Sequence, residues 1–243
     1  MMVAHATLGK TGDAKRGKPG RPAQVVAASC LLLIAGCGGT TSSPVSGEVN
    51  PVDPNVDSSK VLVASGFGQQ SRYAWATALV RNVSDNVGQT VKVHFTLFDA
   101  AGRKLAVASE AQSFAVPRQQ LAIGHYFQVP GGRKAARVEA AVSVEDTGAF
   151  DGQPRPPIPT GPVVIRSDRS GGHLAYVRVT NPSSDPLKFP TIGVICYGAG
   201  NRVVGGGVSE PPLVPPSGSL ITNASVIASG ASPRCDAYAS YRE

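Results

Sequence analysis

Apolar and polar residues alternate along Val91–Leu97: Val91, Val93, Phe95 and Leu97 take one phase, Lys92, His94 and Thr96 the other. That period of two marks a half-buried strand. "DAAGRK" follows as a connection of hairpin size, in which Gly102 can supply a positive φ and Asp99 can start the turn by accepting bonds from nearby backbone amides. The same signal recurs along the chain. Strands are expected near 61–66, 72–82, 89–98, 104–115, 120–129 and 136–145, and again near 163–167, 173–180, 191–198, 202–208, 218–227 and 235–241. No segment between them carries a helical period.

The two sets of strands repeat one another. "LVRNVSD" aligns with "RVTNPSS", placing Asn82 over Asn181, and at the same offset Phe98 falls on Tyr197. Pro117 lies over Pro215, Arg137 over Arg234 and Val138 over Cys235, with the small drift that loop-length changes produce. The expected fold is all-β, with two tandem immunoglobulin-like antiparallel β-sandwich domains at 60–146 and 163–243. Between them "DTGAFDGQPRPPIPTGP" reads as a Pro/Gly-rich linker over 147–162, because its prolines cannot join a central strand.

The N-terminal quarter has a different pattern. Lys10, Lys15, Arg16, Lys18 and Arg21 precede an apolar stretch from about Ala23 to Ala35, then Ile34-Ala35-Gly36-Cys37. The stretch is about a dozen residues, short of the ~20 that span a bilayer as a helix. The segment resembles a bacterial lipoprotein signal, whose lipobox is an aliphatic residue, two small residues and a cysteine. That resemblance implies a signal peptide over 1–36, removed on export, and diacylglycerol carried by Cys37; an ordinary secretory signal with an incidental Cys37 is the alternative. Residues 37–59 read as a lipidated flexible tether, rich in Gly, Ser, Thr, Pro and Asp, with a reach of roughly 25 Å. The expected location is the outer face of the bacterial cytoplasmic membrane, with the membrane as first partner through Cys37.

Charge changes the picture once the signal is set aside. The net charge of +7 owes much to the five bases and one acid before Cys37; without them 18 bases face 15 acids. The remaining bases are scattered rather than striped, which argues against nucleic acid as a partner.

"RNVSDNVGQTVKVHFTLFDAAGRKL" resembles the FxLYD domain of bacterial envelope proteins. Phe95-Thr96-Leu97-Phe98-Asp99 matches the motif, and Asn82 and Gly102 supply its preceding turn and following glycine. The resemblance spans about 72–130. In the second half Val194, Cys196 and Gly198 replace the Phe, Leu and Asp, and only Tyr197 agrees. The resemblance implies an extracytoplasmic β-sandwich and carries over no catalytic residue.

Candidate chemistry is sparse. Cys196 and Cys235 are the two cysteines beyond the signal and lipobox, and outside the membrane they are expected to pair, bridging the sandwich; a metal or nucleophilic pair is the alternative, but no His or Cys flanks either. His94, His125 and His173 are scattered. No phosphate loop, nucleophile elbow or metalloprotease motif occurs, so no catalytic residue, metal or cofactor is expected. If Ala76, Ala78 and Val80 face the core, the opposite phase presents Tyr73, Trp75 and Leu79, a candidate partner surface unless a bulge or the other domain covers it. The expected function is a membrane-anchored binding or scaffolding lipoprotein for an envelope protein. The alternatives are a receptor holding a cell-envelope ligand or solute between the domains and, behind it, an envelope-acting enzyme.

Overall fold

A computed structural model of the chain describes residues 58–167, 172–230 and 233–242. The signal peptide, Cys37 and most of the tether lie outside the described residues. The described residues belong to one compact unit, with 59% of the structure in strands and 7% in helices. Among them no helix is long and apolar enough to cross a membrane.

The first half has six strands: β1 (Leu62–Gln70), β2 (Tyr73–Arg81), β3 (Gln89–Phe98), β4 (Lys104–Ser113), β5 (Gln120–Gln128) and β6 (Arg137–Asp146). They form two antiparallel three-stranded sheets, β1-β2-β5 and β4-β3-β6. The inward phase of each sheet builds one core: Ala76, Ala78, Val80, Leu121 and Ile123 from the first, Val91, Val93, Phe95 and Leu97 from the second. The alternation read from residues 91–97 is thus the alternation of a strand with one face on a sandwich-like core.

The second half has β7 (Val164–Ser167), β8 (His173–Thr180), β9 (Leu187–Lys188), β10 (Thr191–Tyr197), β11 (Val203–Ser209), β12 (Leu213–Val214), β13 (Ser219–Ala228) and β14 (Arg234–Ser240). The short β9 and β12, which the sequence pattern does not show, pair with each other. The remaining strands follow the order of the first half, with β7-β8-β13 answering β1-β2-β5 and β11-β10-β14 answering β4-β3-β6. Here β11 and β13 also pair, so all six lie in one sheet, β14-β10-β11-β13-β8-β7.

The repeat reaches individual hydrogen bonds. Asn82 is buried, donates from Nδ2 to the Asn86 carbonyl at 2.7 Å and accepts the Ser84 amide at 3.0 Å. Asn181 is buried, donates to the Asp185 carbonyl at 2.8 Å and accepts the Ser183 amide at 3.0 Å. Asn181 also reaches the Val214 and Pro215 carbonyls. Its truncation strips several buried backbone groups of their partner. Asn181→Ala is therefore expected to cost about 2 kcal/mol, and Asn82→Ala somewhat less, by denaturant unfolding.

Asp99 is a turn corner. Its Oδ1 accepts the Ala101 and Arg103 amides at 3.0 Å each, and its Oδ2 accepts Arg103 Nε at 2.8 Å. Gly102 takes φ +75° in this turn, and at the matching place in the second half Asn201 takes φ +56°. The Arg103 amide, helped by the guanidinium and the Ala101 amide, holds the Asp99 carboxyl below its ordinary range, against an opposing effect of burial. The folded carboxyl thus takes up its proton at lower pH than the unfolded one. Its stabilisation is complete above the unfolded value and is lost as pH falls through the folded one. Asp99→Ala is expected to lower Tm near neutral pH, with the gap to the unmodified protein closing on acidification; a gap independent of pH would contradict this origin.

The disulfide is present, with a correction to its place. Cys196 and Cys235 are bonded, 39 residues apart in sequence. They sit directly opposite each other on the neighbouring strands β10 and β14, with Cα atoms 4.1 Å apart. The bond therefore staples two adjacent strands of one sheet and does not bridge a sandwich. Leu97 and Val138 hold the corresponding cross-strand positions in the first half.

Residues 147–162 do not hang free. The Ala149 amide donates to Gly88 O, the Arg155 amide to Ala115 O and the Gly161 amide to Arg178 O, while Tyr241 donates its hydroxyl to Pro156 O at 2.8 Å. The segment is hydrogen-bonded to both halves.

Candidate functional site

The outward face of β1-β2-β5 meets the second half. Trp75 is 8% exposed and Leu79 6%, and Leu79 clusters with Ala122, Ile195, Tyr197 and Val203. This corrects the expectation that Tyr73, Trp75 and Leu79 offer a surface to a partner. Their outward phase is right, but what covers two of them is the chain's own second half. Tyr73 stays half-buried at the margin, stacked on Tyr126 at 5.6 Å between ring centroids.

Glycines set how closely the halves approach. A Cβ on Gly193 of β10 would lie 1.9 Å from the Ala122 carbonyl oxygen, and one on Gly66 of β1 would lie 2.3 Å from that of Val203. Backbone therefore rests on backbone across this contact, which only glycine permits. Tyr197, on the same face of β10, has its hydroxyl pKa pushed up to about 12, first by burial and then by Tyr238 and Asp236.

Beside this contact the two halves enclose a crevice of about 650 Å³. One wall is residues 110–113 of β4 with 122–126 of β5. The opposite wall comes from the second half: Thr191, Val208, Glu210, Tyr241 and Arg242. Trp75 and Phe150 complete the lining.

The two halves differ beside the crevice in how the repeated strands pair. In the second half β11 pairs with β13 from Gly205 opposite Ala228 to Val208 opposite Ser225. The approach depends on glycine: a Cβ on Gly205 would lie 2.0 Å from the Ile227 carbonyl oxygen, and one on Gly207 would lie 2.2 Å from that of Ser225. At the offset of 99 that relates Asn82 to Asn181, the first half has Ala106, Val107 and Ala108 instead of three glycines. In the first half β4 and β5 do not pair, and each ends its sheet as an edge.

Carried over by that offset and continued one residue past its last pair, Val208 opposite Ser225, the β11–β13 register sets Glu110 opposite His125. The two side chains do meet, with His125 Nδ1 2.6 Å from Glu110 Oε1, and His125 packs edge-on against Phe127. The pair thus bridges two sheets that share no backbone bond. His125 and Glu110 were not legible as site residues, since neither belongs to a motif; only the hairpin register combined with the repeat offset would place them together.

The other polar side chains of the crevice are also engaged. Arg242 pairs with Glu210 at 3.5 Å, and Thr191 donates its hydroxyl to the same carboxylate at 3.5 Å. Ser240 donates to Gln112 Oε1 at 3.4 Å, tying β14 to β4. Burial raises the Tyr241 hydroxyl above its ordinary pKa, with Arg155 opposing. Trp75 Nε1 is buried without a hydrogen-bond partner, within 2.5 Å of where a Gly124 Cβ would stand. Of the other histidines, His94 is exposed and pairs with Ser109 Oγ at 2.8 Å, and His173 lies on β8. Among the described residues no three His, Cys, Asp or Glu side chains converge as metal ligands do.

No protein-family model matches the chain and no curated protein is similar to it. Two solved structures of oxalate decarboxylase, one a mutant of the Bacillus subtilis enzyme, align at 10% identity over 72% and 73% of this chain and 73% and 74% of theirs. Their TM-score is 0.12 in each case, a likeness that carries no argument.

Proposed function

We propose that this protein is a lipid-anchored, extracytoplasmic binding protein of a bacterial envelope, and that its ligand sits in the crevice between the two halves. On this reading Cys37 carries the anchor and residues 38–59 the tether. An FxLYD-like sandwich at 60–146 and a diverged immunoglobulin-like sandwich at 163–243 form the binding body. The observation that carries it is the convergence, around one crevice, of Glu110, His125 and Gln112 from the first half with Glu210, Thr191 and Arg242 from the second. A ligand held there touches both halves, as sites between domains commonly do. With Trp75 and Leu79 buried, this reading takes the crevice rather than the β2 face as the binding site.

The test is site-specific photo-crosslinking in cells. A benzoylphenylalanine at Val208, which is 38% exposed on the crevice rim, is expected to form a discrete adduct, while one at Ile221, more exposed but outside the crevice, is not. Adducts at neither position, or equally at both, would overturn the crevice as the site. Cys37→Ala is expected to move the chain from the membrane to the soluble fraction, and retention on the membrane would overturn the anchor.

A further inference from the structure

We infer that one tip of the first half, where two loops each carry Gly-Arg-Lys, is a second binding site, and that it holds phosphate groups repeated along an anionic polymer of the envelope. The site shares no lining residue with the crevice. Only the choice of a polymer over the anchoring membrane rests on the lipid anchor proposed above.

Bases that are scattered along the sequence meet at this tip. The β3–β4 hairpin carries Gly102-Arg103-Lys104, and the β5–β6 connection carries Gly132-Arg133-Lys134. The Ala136 amide donates to Phe98 O at 2.8 Å and the Val129 amide to Arg72 O at 2.7 Å, so both loops and the β1–β2 turn lie at the same end. Asp99, Ala100, Ala101, Arg103, Arg133 and Lys134 line an open cup of about 300 Å³.

The charge of this end is unbalanced. Arg103 is paired with Asp99 and Arg137 with Glu139. Arg72, Lys104, Arg133 and Lys134 are exposed and have no acidic partner among the described residues. Asp99 leaves no free acceptor for the cup to offset them, since its oxygens are taken by Arg103 and by the amides at 101 and 103. The fold does not require these bases. By the repeat, Lys104 corresponds to Val203, Arg133 to Gly230 and Lys134 to Ala231, and the second half forms the matching strands without the charges. Like charges gathered on one surface repel one another and draw a counter-charge.

The backbone beneath the bases is already fixed. Gln69 donates from Nε2 to the Ser71 and Arg133 carbonyls at 2.8 Å each, and its Oε1 accepts the Ala135 amide at 2.7 Å. Asp99 holds the other loop. An anion therefore meets its partners on a set frame, with little backbone left to order. Arg103, Arg133 and Lys134 reach the cup from two loops. A tetrahedral phosphate turns its oxygens several ways and can accept from all three, whereas a carboxylate presents two oxygens in one plane.

The position favours a polymer over the bilayer. The chain enters the sheet through Ser58–Val61, and the nine residues of β1 then run about 30 Å to the Ser71–Arg72 turn at the tip. With the anchor upstream of Ser58, the tip is at the end away from the tether. A polymer brings several phosphates to the four unpaired cations at once.

The probe is long-chain inorganic polyphosphate at physiological salt, added to the chain purified from its own membranes, which on the anchor reading begins at Cys37 and lacks the N-terminal bases. Arg133→Gln combined with Lys134→Gln is expected to weaken binding about tenfold. Arg81→Gln combined with Lys188→Gln removes the same charge from exposed bases elsewhere and is expected to leave binding nearly unchanged. Both double variants should melt like the unmodified protein, and polyglutamate of matched charge should bind more weakly than polyphosphate.

Equal losses in the two double variants, or no saturable binding of polyphosphate, would overturn the site. Polyglutamate bound as tightly would overturn phosphate as the group recognised. Vesicles of phosphatidylglycerol bound through Arg133 and Lys134, with polyphosphate ignored, would make a membrane the occupant and overturn the polymer. The Val208 adduct and the Cys37→Ala fractionation are read separately, so this site can fail while the crevice and the anchor stand.

Discussion

Gly193→Val is expected to be the most damaging single substitution in the contact between the halves. The new Cβ would lie 1.9 Å from the Ala122 carbonyl oxygen, a backbone atom of a strand paired in its own sheet, so neither partner can yield without moving a sheet. Overpacking of this kind costs about 3 kcal/mol. The loss should appear as a lower Tm together with a red shift of Trp75 emission, as the indole loses the cover of the second half. A variant that melts like the unmodified protein would mean that the halves do not rest on each other at β5 and β10.

Reducing the Cys196–Cys235 bond is expected to have an effect of similar size. It closes a loop of about forty residues, and the chain-entropy account assigns such a closure about 4 kcal/mol. The loss should fall on the second half, where the bond ties β14 to β10, and so should expose Tyr197 and Tyr238 on the same pair of strands. Tyrosine absorbance followed through reductive unfolding reads this directly. A reduced protein as stable as the oxidised one would make the bond incidental to the fold.

Local pattern reveals much of this protein. Twelve of the strands follow from period-two alternation and turn residues, because each needs only its own sequence to show an apolar face. The Asp99 corner was legible for the same reason: its partners, Ala101 and Arg103, are two and four residues away. The Cys196–Cys235 pairing was legible from the export that the N-terminal resemblance implies and from the repeat. Its geometry was not, since inward positions on two strands look alike whether the strands face each other or lie side by side.

The candidate site was nearly invisible for a related reason. Alternation places Trp75 and Leu79 on the outward phase of β2, but nothing in β2 says that Ile195 and Tyr197 lie over that face. The glycines at 66, 193 and 205–207 act through atoms of distant strands, so their role as contact points has no local signature. The crevice wall is made of two strand edges, and an edge is defined by which strand fails to pair. The second half has Gly205, Gly206 and Gly207 in its β11–β13 ladder where the first half has Ala106, Val107 and Ala108, a difference that gains meaning only beside that ladder.

The central claim is that one seam is open and its repeat counterpart is zipped. Residue-resolved amide hydrogen exchange on the full chain measures both at once. The account predicts that the Tyr126 and Gln128 amides of β5, turned away from β2, exchange fast, while their counterparts on β13, the Ser225 and Ile227 amides paired to β11, are slow. Uniform protection along both strands would mean that the β5 edge is already satisfied, and the seam would then be closed in both halves.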